Sequence, residues 1–238
     1  MSSPFEIRGV IEGFYGHPWT HEQRLDLIDF LAARGMNAYV YSPKDDPLLR
    51  EAWRAPYDGE DLERLEQLVE RCRSAGMELS WCISPGLSIR YSEQADVEAL
   101  TAKIGSVVAL GVRHIGLFVD DIPPRLQHPQ DQASVSGLGQ AHVSLANAVL
   151  ASLPPEVDLV LCPLEYWGTG REDSLAELGA GLDPRIDLYW SGRAICAPTL
   201  DLADAETFTR TAHRPPTYWD NYPVNDVAMG YELHIGPY

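Results

Sequence analysis

Apolar residues in this chain gather into seven short runs, separated by longer stretches whose apolar positions recur at helical spacing. Most of the runs are continuous or nearly so, which is typical of parallel strands covered on both faces. The runs are residues 7–11, 38–41, 78–83, 114–119, 159–162, 186–190 and 217–219. Seven strands that alternate with helices predict an α/β protein.

The stretches between the runs carry signals for where helices begin. Thr20 and Gln23 form a capping box, and an apolar stripe at helical spacing starts at Leu25. A later stripe over residues 97–108 is predicted to follow a cap at Ser92. The Pro-, Gln- and Ser-rich residues 121–139 are predicted to form a long loop.

A junction of helix, glycine and strand occurs three times, at Gly35, Gly76 and Gly111. Glycine is favoured there because a helix C-cap often needs a positive φ. Repeated junctions without a linker favour a (β/α)8 barrel of the TIM type over a doubly wound sheet. With seven strands counted, we expect a single catalytic barrel domain over residues 1–238, truncated before its eighth strand.

Composition narrows the classes of partner. A net charge of −17 argues against nucleic acid, whose phosphates need a basic face. No apolar run approaches bilayer-spanning length, and the first residues lack a basic cluster followed by an apolar run, so we expect a soluble cytoplasmic protein without a membrane partner. The four cysteines form no C-x-x-C pair, so a zinc site or disulfide framework is not expected.

Two adjacent carboxylates, Asp120 and Asp121, end the fourth run. In a TIM barrel the catalytic groups lie at the carboxyl ends of the strands. Like charges this close push their pKa values apart, so that one group is a carboxylate while the other is an acid. The pair therefore suits acid–base catalysis, with a loop cap or a metal-binding pair as alternatives.

Other predicted strands also end in polar or aromatic residues. Lys44 follows the second strand, where it can hold a sugar hydroxyl or pair with a carboxylate. Aromatic rings at a rim suit sugar binding because apolar sugar faces stack on them, although a single Trp is more often a core residue. Further candidates at strand ends are Tyr15, Glu165, Tyr166, Trp190, Ser191, Trp219 and Asn221.

Seven sequence blocks, one for each predicted strand, together resemble glycoside hydrolase family 84. That family includes the O-GlcNAcases and bacterial β-N-acetylglucosaminidases. The blocks are residues 9–19 (GVIEGFYGHPW), 41–46 (YSPKDD), 83–86 (ISPG), 119–122 (VDDI), 162–166 (CPLEY), 190–192 (WSG) and 219–226 (WDNYPVND). They occur in order and cover nearly the whole chain, so their combination is far more specific than any one block.

The resemblance implies a retaining hydrolase of terminal β-linked N-acetylglucosamine, on a glycoprotein or a glycan. In that mechanism the sugar's own acetamide oxygen attacks the anomeric carbon and an oxazoline forms. By motif position, Asp120 holds the acetamide N–H, and Asp121 protonates the leaving oxygen and then activates water. The implied substrate-binding residues are Gly13 (through its backbone), Lys44, Asn221 and Asp226 for the sugar, with Tyr166 and Trp219 as walls of the acetamide pocket. No metal or organic cofactor is implied.

Three alternatives remain open at this point. The family barrel continues into an eighth strand with a sugar-binding Asn, and we find no such strand here. Either the sequence is cut short, or another segment or chain closes the open barrel edge to form an oligomer. The alternative to an active hydrolase is a non-catalytic or weakly active N-acetylglucosamine-binding remnant. A chitinase-like enzyme is disfavoured because residues 114–126 contain no D-x-x-D-x-D-x-E run.

Overall fold

The computed structural model describes residues 5–221, in which seven parallel strands form one curled sheet of a TIM-type barrel. Each strand pairs with the next one along the chain, so the sheet order is the sequence order. The strands are β1 Gly9–Glu12, β2 Ala38–Tyr41, β3 Glu78–Ile83, β4 His114–Phe118, β5 Asp158–Cys162, β6 Ile186–Trp190 and β7 Pro216–Tyr218. All seven predicted runs are confirmed as strands.

Helices follow the strands along the chain and cover the outer face of the sheet. They are α1 His21–Ala32, α2 Gly59–Ala75, α3 Gln94–Ala109, α4 Pro129–Ser134, α5 Leu138–Ser152, α6 Asp173–Gly181 and α7 Leu202–Ala212, with a short 3-10 helix at Pro85–Leu87. Within residues 5–221, no helix has the length and apolar character needed to cross a bilayer.

The predicted capping box of α1 is confirmed. The Thr20 hydroxyl accepts the Gln23 N–H at 3.2 Å, and the Gln23 side-chain oxygen accepts the Thr20 N–H at 2.8 Å. The predicted cap at Ser92 is wrong, because α3 begins only at Gln94. The N-cap of α3 is Glu93, which makes no side-chain cap hydrogen bond, and the Ser92 N–H donates to the carboxylate of Asp131 at 2.7 Å.

The three junction glycines all have positive φ, as predicted: +76° at Gly35, +69° at Gly76 and +109° at Gly111. Gly76 is itself the left-handed C-cap of α2, and its N–H returns to the last turn of the helix. The predicted loop over residues 121–139 is only partly irregular. It contains the short helix α4 and the start of α5.

Alternate residues of the strands build two separate cores. Outward-facing residues pack against the helices, whereas inward-facing residues fill the barrel beneath its carboxyl-terminal rim. The inner core consists of Val40, Cys82, Phe118, Cys162, Tyr189 and Trp219, with Ile11, Val160 and Tyr166 packed against it. Cys82 and Cys162 are fully buried, as expected of small apolar residues inside strands.

The two edge strands of the described sheet are β1 and β7. Their carboxyl ends nevertheless meet inside the barrel, because a Cβ atom added at Gly13 would lie 2.9 Å from the ring of Trp219. This close approach requires glycine at position 13. The ends of β1 and β7 thus meet at the carboxyl-terminal rim, where Asp120 follows β4.

Burial of His142 on α5 predicts a pH-dependent contribution to stability. Desolvation lowers its pKa from 6.5 to about 4, while its ring bonds the Tyr91 hydroxyl at 3.1 Å. The unfolded chain binds the proton more tightly, so stability is fully present above pH 6.5 and is lost as pH falls towards 4. The shift corresponds to about 3 kcal/mol.

We expect His142→Gln to flatten this part of the pH dependence of the unfolding free energy, measured by chemical denaturation between pH 7 and pH 4. The exposed His17 provides a matched control, since His17→Gln removes a histidine without removing a buried one. Equal pH dependence in the His142→Gln variant and the unaltered chain would contradict this account.

Candidate active site

Asp120 and Asp121 lie directly beyond β4, where the alternation of the strand decides their directions. Asp120 is two residues after the inward-facing Phe118 and is 2% exposed. The side chain of Asp121 is 41% exposed and faces the rim. Asp121 has a φ of +52°, a left-handed conformation that few non-glycine residues adopt. The backbone therefore turns sharply between a buried and an accessible carboxylate.

The ammonium group of Lys44 lies between the two carboxylates. Its Nζ donates to Oδ2 of Asp120 in a short hydrogen bond and lies 3.1 Å from Oδ2 of Asp121. Lys44 is 5% exposed, so both its charge and that of Asp120 are withdrawn from water. Of the two uses considered for Lys44, the structure shows pairing with a carboxylate.

Two further side chains hold Asp121. The Tyr15 hydroxyl donates to Oδ2 of Asp121 at 3.0 Å, and the Arg50 guanidinium donates to the backbone oxygen of Asp121 at 2.9 Å. The Arg50 guanidinium carbon also lies 5.7 Å from the centre of the Tyr15 ring. Sequence reasoning treated Tyr15 as a weak candidate and missed Arg50, which lies in no strand-end motif.

The expected separation of the two acids is present. Burial raises the pKa of Asp120 above its ordinary value, against the opposing charge of Lys44. Burial also acts to raise the pKa of Asp121, but Lys44, the Tyr15 hydrogen bond and Arg50 outweigh it, and that pKa is lowered. The pKa of the buried Asp120 is thus shifted upwards, and that of the more exposed Asp121 downwards.

One oxygen of Asp120 has no partner. Oδ2 is held by Lys44, whereas Oδ1 is buried and accepts no hydrogen bond within the described part of the chain. A buried acceptor without a donor costs about 1–3 kcal/mol, so such atoms are rare and call for an explanation. The arrangement leaves one acceptor ready for a donor from a ligand.

Aromatic side chains wall the space beside Asp120. Tyr166 and Trp219 stack with ring centres 5.7 Å apart and an interplanar angle of 29°. Asn221 donates from Nδ2 to the Tyr166 hydroxyl at 3.4 Å, and Trp219 packs onto Phe118 of the inner core. These contacts fix the wall from three separate strands.

Two thiols lie below the carboxylates. Burial raises the pKa of both Cys82 and Cys162, and the neighbouring charge of Asp120 raises it further. Both side chains therefore stay neutral at physiological pH. An uncharged, water-free floor strengthens the electrostatic coupling between Asp120 and Lys44 above it.

The structure brings most of the candidate residues together. Gly13, Lys44, Asp120, Asp121, Tyr166, Trp219 and Asn221 all converge at the carboxyl-terminal rim. Asp226 lies outside the described residues. Two other candidates face elsewhere. Glu165 accepts from the Ser174 hydroxyl at 2.6 Å, and the Trp190 ring packs on Phe208 of α7 in the outer core.

Comparison with known proteins gives consistent matches over the same region. The model of a family described as beta-N-acetylglucosaminidase matches residues 8–238. Proteins named Protein O-GlcNAcase from Rattus norvegicus and from Mus musculus are each 34% identical over 236 residues, which is 97% of this chain and 26% of theirs. The chain thus spans about a quarter of the length of these relatives.

A solved structure of a Thermobaculum terrenum O-GlcNAc hydrolase mutant is 40% identical and superimposes with a TM-score of 0.93. The similarity covers 98% of this chain and 51% of that one. The similarity in sequence and backbone therefore extends over nearly the whole chain, including the ends of all seven strands.

The ion pair between Lys44 and Asp120 predicts that substitutions of these two residues have non-additive effects on the free energy of unfolding. Lys44→Met leaves a buried carboxyl without its cation, and removing one partner of a buried pair costs about 3–5 kcal/mol. Adding Asp120→Asn removes the uncompensated acid, so the double variant should recover at least about 1 kcal/mol relative to additive loss. Chemical denaturation of the four proteins at pH 7 measures this coupling.

Lys103, the other lysine of the chain, provides the control. It is also buried, but its Nζ donates to the carbonyls of Leu48 and Ala55 at 2.6 and 2.7 Å. Lys103→Met and Asp120→Asn should therefore be additive. Additivity of Lys44→Met with Asp120→Asn would contradict the ion pair.

Proposed function

This chain belongs to the β-N-acetylglucosaminidase family, and from that premise we propose that it hydrolyses terminal β-linked N-acetylglucosamine with the sugar's own acetamide as the nucleophile. We assign this activity to one barrel domain over residues 1–238. The curated relatives are named for the removal of O-linked N-acetylglucosamine, so the proposed substrate is a glycoprotein.

The observation that carries the proposal is the unpartnered Oδ1 of Asp120. It lies at a buried carboxylate whose other oxygen is already held by Lys44, beside a wall formed by Tyr166 and Trp219. An N-acetyl group offers the complementary chemistry, since its N–H is a donor and its methyl group is apolar. One group of the substrate can therefore satisfy the acceptor and fill the space beside the aromatic wall.

In the proposed first step, the acetamide oxygen forms a bond to the anomeric carbon while the bond from that carbon to the leaving oxygen breaks. Asp120 holds the acetamide N–H, which increases the electron density on the attacking oxygen. Asp121 gives its proton to the leaving oxygen, a form of help worth on the order of 10²–10⁴-fold. The attack is intramolecular, so orientation by the pocket contributes further.

In the second step, water attacks the anomeric carbon of the protonated oxazoline, whose N–H is still held by Asp120, and passes a proton to Asp121. The ring opens to restore the acetamide, and two displacements leave the β configuration unchanged. Asp121 ends the cycle protonated, as it began it. No nucleophile from the protein is required, in contrast to retaining enzymes that use two carboxylates.

Substrate binding reconciles these roles with the pKa directions, which favour a proton on Asp120 over one on Asp121. An N–H donor on Oδ1 favours the charged form of Asp120. That new negative charge, together with exclusion of water by the sugar, raises the pKa of Asp121. The acetamide therefore moves the proton preference from Asp120 to Asp121 and prepares the acid only when substrate is present.

The remaining proposed roles concern binding. The backbone of Gly13 together with Lys44, Asn221 and Asp226 is assigned to the sugar, as the family resemblance implies. Tyr166 and Trp219 are assigned to the acetamide pocket. A second copy of the chain that covers β1 and β7 remains a proposal for the assembly.

A second candidate function is binding of N-acetylglucosamine without hydrolysis. The lowered pKa of Asp121 favours it, because a resting carboxylate cannot protonate a leaving group. This candidate predicts calorimetric binding of the sugar with no turnover. Hydrolysis that disappears in an Asp121→Asn variant would exclude it.

We expect the chain to release phenol from phenyl N-acetyl-β-glucosaminide, and Asp121→Asn to lower kcat on the order of 10²–10⁴-fold by removing the proton donor. A series of substrates with mono-, di- and trifluorinated acetamides should react progressively more slowly, because fluorine withdraws electrons from the attacking oxygen. Steady-state kinetics at constant pH measures both effects.

Asp45→Asn is a matched control at the same rim. Asp45 accepts the Gly16 N–H at 2.8 Å, which an Asn oxygen can also do, so activity should stay close to that of the unaltered chain. Hydrolysis rates that are independent of fluorination would refute participation by the acetamide. Absence of turnover with retained sugar binding would leave the second candidate as the function.

A further inference from the structure

Arg50 is a charged group at the site that neither the sequence motifs nor the proposed mechanism accounts for. It lies between β2 and α2, on the segment of residues 46–55, six residues after Lys44. Its Nη2 donates to the backbone oxygen of Asp121 at 2.9 Å. Its Nη1 is buried and has no hydrogen-bond partner within the described residues.

The segment that carries Arg50 is rigidly anchored. Leu49 and Trp53, on either side of Arg50, are 2% and 0% exposed. The Leu49 carbonyl accepts the N–H of Ser84 at the end of β3, at 2.8 Å. The ammonium of Lys103 on α3 holds the carbonyls of Leu48 and Ala55. Arg50 therefore projects from a fixed platform towards Asp121.

The contact made by Arg50 falls on an unusual backbone. Asp121 has a φ of +52°, a conformation that aspartate reaches far less readily than glycine. A charge-assisted bond to its carbonyl holds the peptide in the orientation that turns the Asp121 side chain to the rim. Arg50 also lies over the ring of Tyr15, whose hydroxyl donates to Asp121, so it acts on the carboxylate through two routes.

We infer that Arg50 is a positioning residue for the general acid. Through the backbone of Asp121 and the ring of Tyr15, it fixes the direction in which Asp121 delivers its proton to the leaving oxygen. This inference rests on the proposed function, because it concerns the same proton transfer. Replacing a residue in this role should lower kcat most for the substrates whose leaving group most needs a proton.

The charge of Arg50 can be tested separately, through its effect on the pKa of Asp121. Groups that face Asp121 from the neighbouring segments are Tyr15 after β1, Lys44 and Arg50 after β2, Asp120 after β4, and Cys162 and Tyr166 of β5 and its loop. Arg50 and Lys44 are the cations of this set, and both lower the pKa of Asp121. Removal of the Arg50 charge should therefore raise that pKa and move the alkaline limb of kcat, which reports the pKa in the substrate complex, to higher pH.

The test compares two substrates in the full 238-residue chain. Phenyl N-acetyl-β-glucosaminide needs a proton on its leaving oxygen. The 2,4-dinitrophenyl glycoside does not, because its leaving group departs as a stable phenolate anion. For Arg50→Met we expect kcat to fall roughly 10–100-fold with the phenyl substrate, the scale expected of a misplaced catalytic group. With the dinitrophenyl substrate it should change by less than about threefold, since general acid help is absent there.

Arg50→Lys retains the charge but loses the planar fork, so it should keep the alkaline limb in place while still losing activity on the phenyl substrate. Arg54, four residues further along the same segment, is the matched control, because it binds Asp96 at 2.6 and 3.0 Å instead of Asp121. Arg54→Met should lower the unfolding midpoint without altering the ratio of the two activities.

The outcomes separate the two claims. Equal loss on both substrates in Arg50→Met, with an unshifted alkaline limb, would overturn the role of Arg50 while leaving the proposed function intact. An unaltered chain that hydrolyses neither substrate would overturn the proposed function and this inference with it.

Discussion

The site depends on one buried cation that is shared by two acids. Lys44 lies between Asp120 and Asp121, and it makes tolerable a pair of adjacent carboxylates that would otherwise repel each other in a region of low polarity. Because the inner core below is apolar and its two thiols are neutral, the coupling among these three groups is strong. A single hydrogen-bond donor from a ligand can therefore redistribute a proton within the pair.

The barrel fixes where these groups lie. Alternation along β4 turns Phe118 and then Asp120 inward, and the left-handed turn at Asp121 brings the second acid to the rim. Meanwhile the end of β7 presents Trp219 against Gly13 at the end of β1, so the first and last strands of the described sheet both contribute to one wall. The proposed recognition of the sugar and the closure of the inner core thus depend on the same contacts.

The fold was largely predictable from sequence because its signals are local. Continuous apolar runs identified all seven strands, and Gly35, Gly76 and Gly111 marked the junctions through their backbone freedom. The cap at Ser92 failed because α3 begins one residue further along than expected, at Gln94 with Glu93 as its N-cap. The contact of Arg50 with Asp121 and the lowered pKa of Asp121 could not be predicted either, since both depend on how separate loops meet at the rim. The convergence of seven of the eight site residues implied by the family resemblance follows from their common place at strand ends, whereas their chemical roles remain predictions.

The central proposal is that Oδ1 of Asp120 accepts a hydrogen bond from the acetamide N–H of the substrate. The most direct measurement is a crystal structure of the chain with an N-acetylglucosamine-derived inhibitor that retains the acetamide N–H. We expect the acetamide nitrogen to lie within about 2.7–3.2 Å of Oδ1 of Asp120, and the methyl group to pack against Tyr166 and Trp219. An inhibitor whose amide lies away from Asp120, with Oδ1 still unpartnered or bonded only to water, would contradict it.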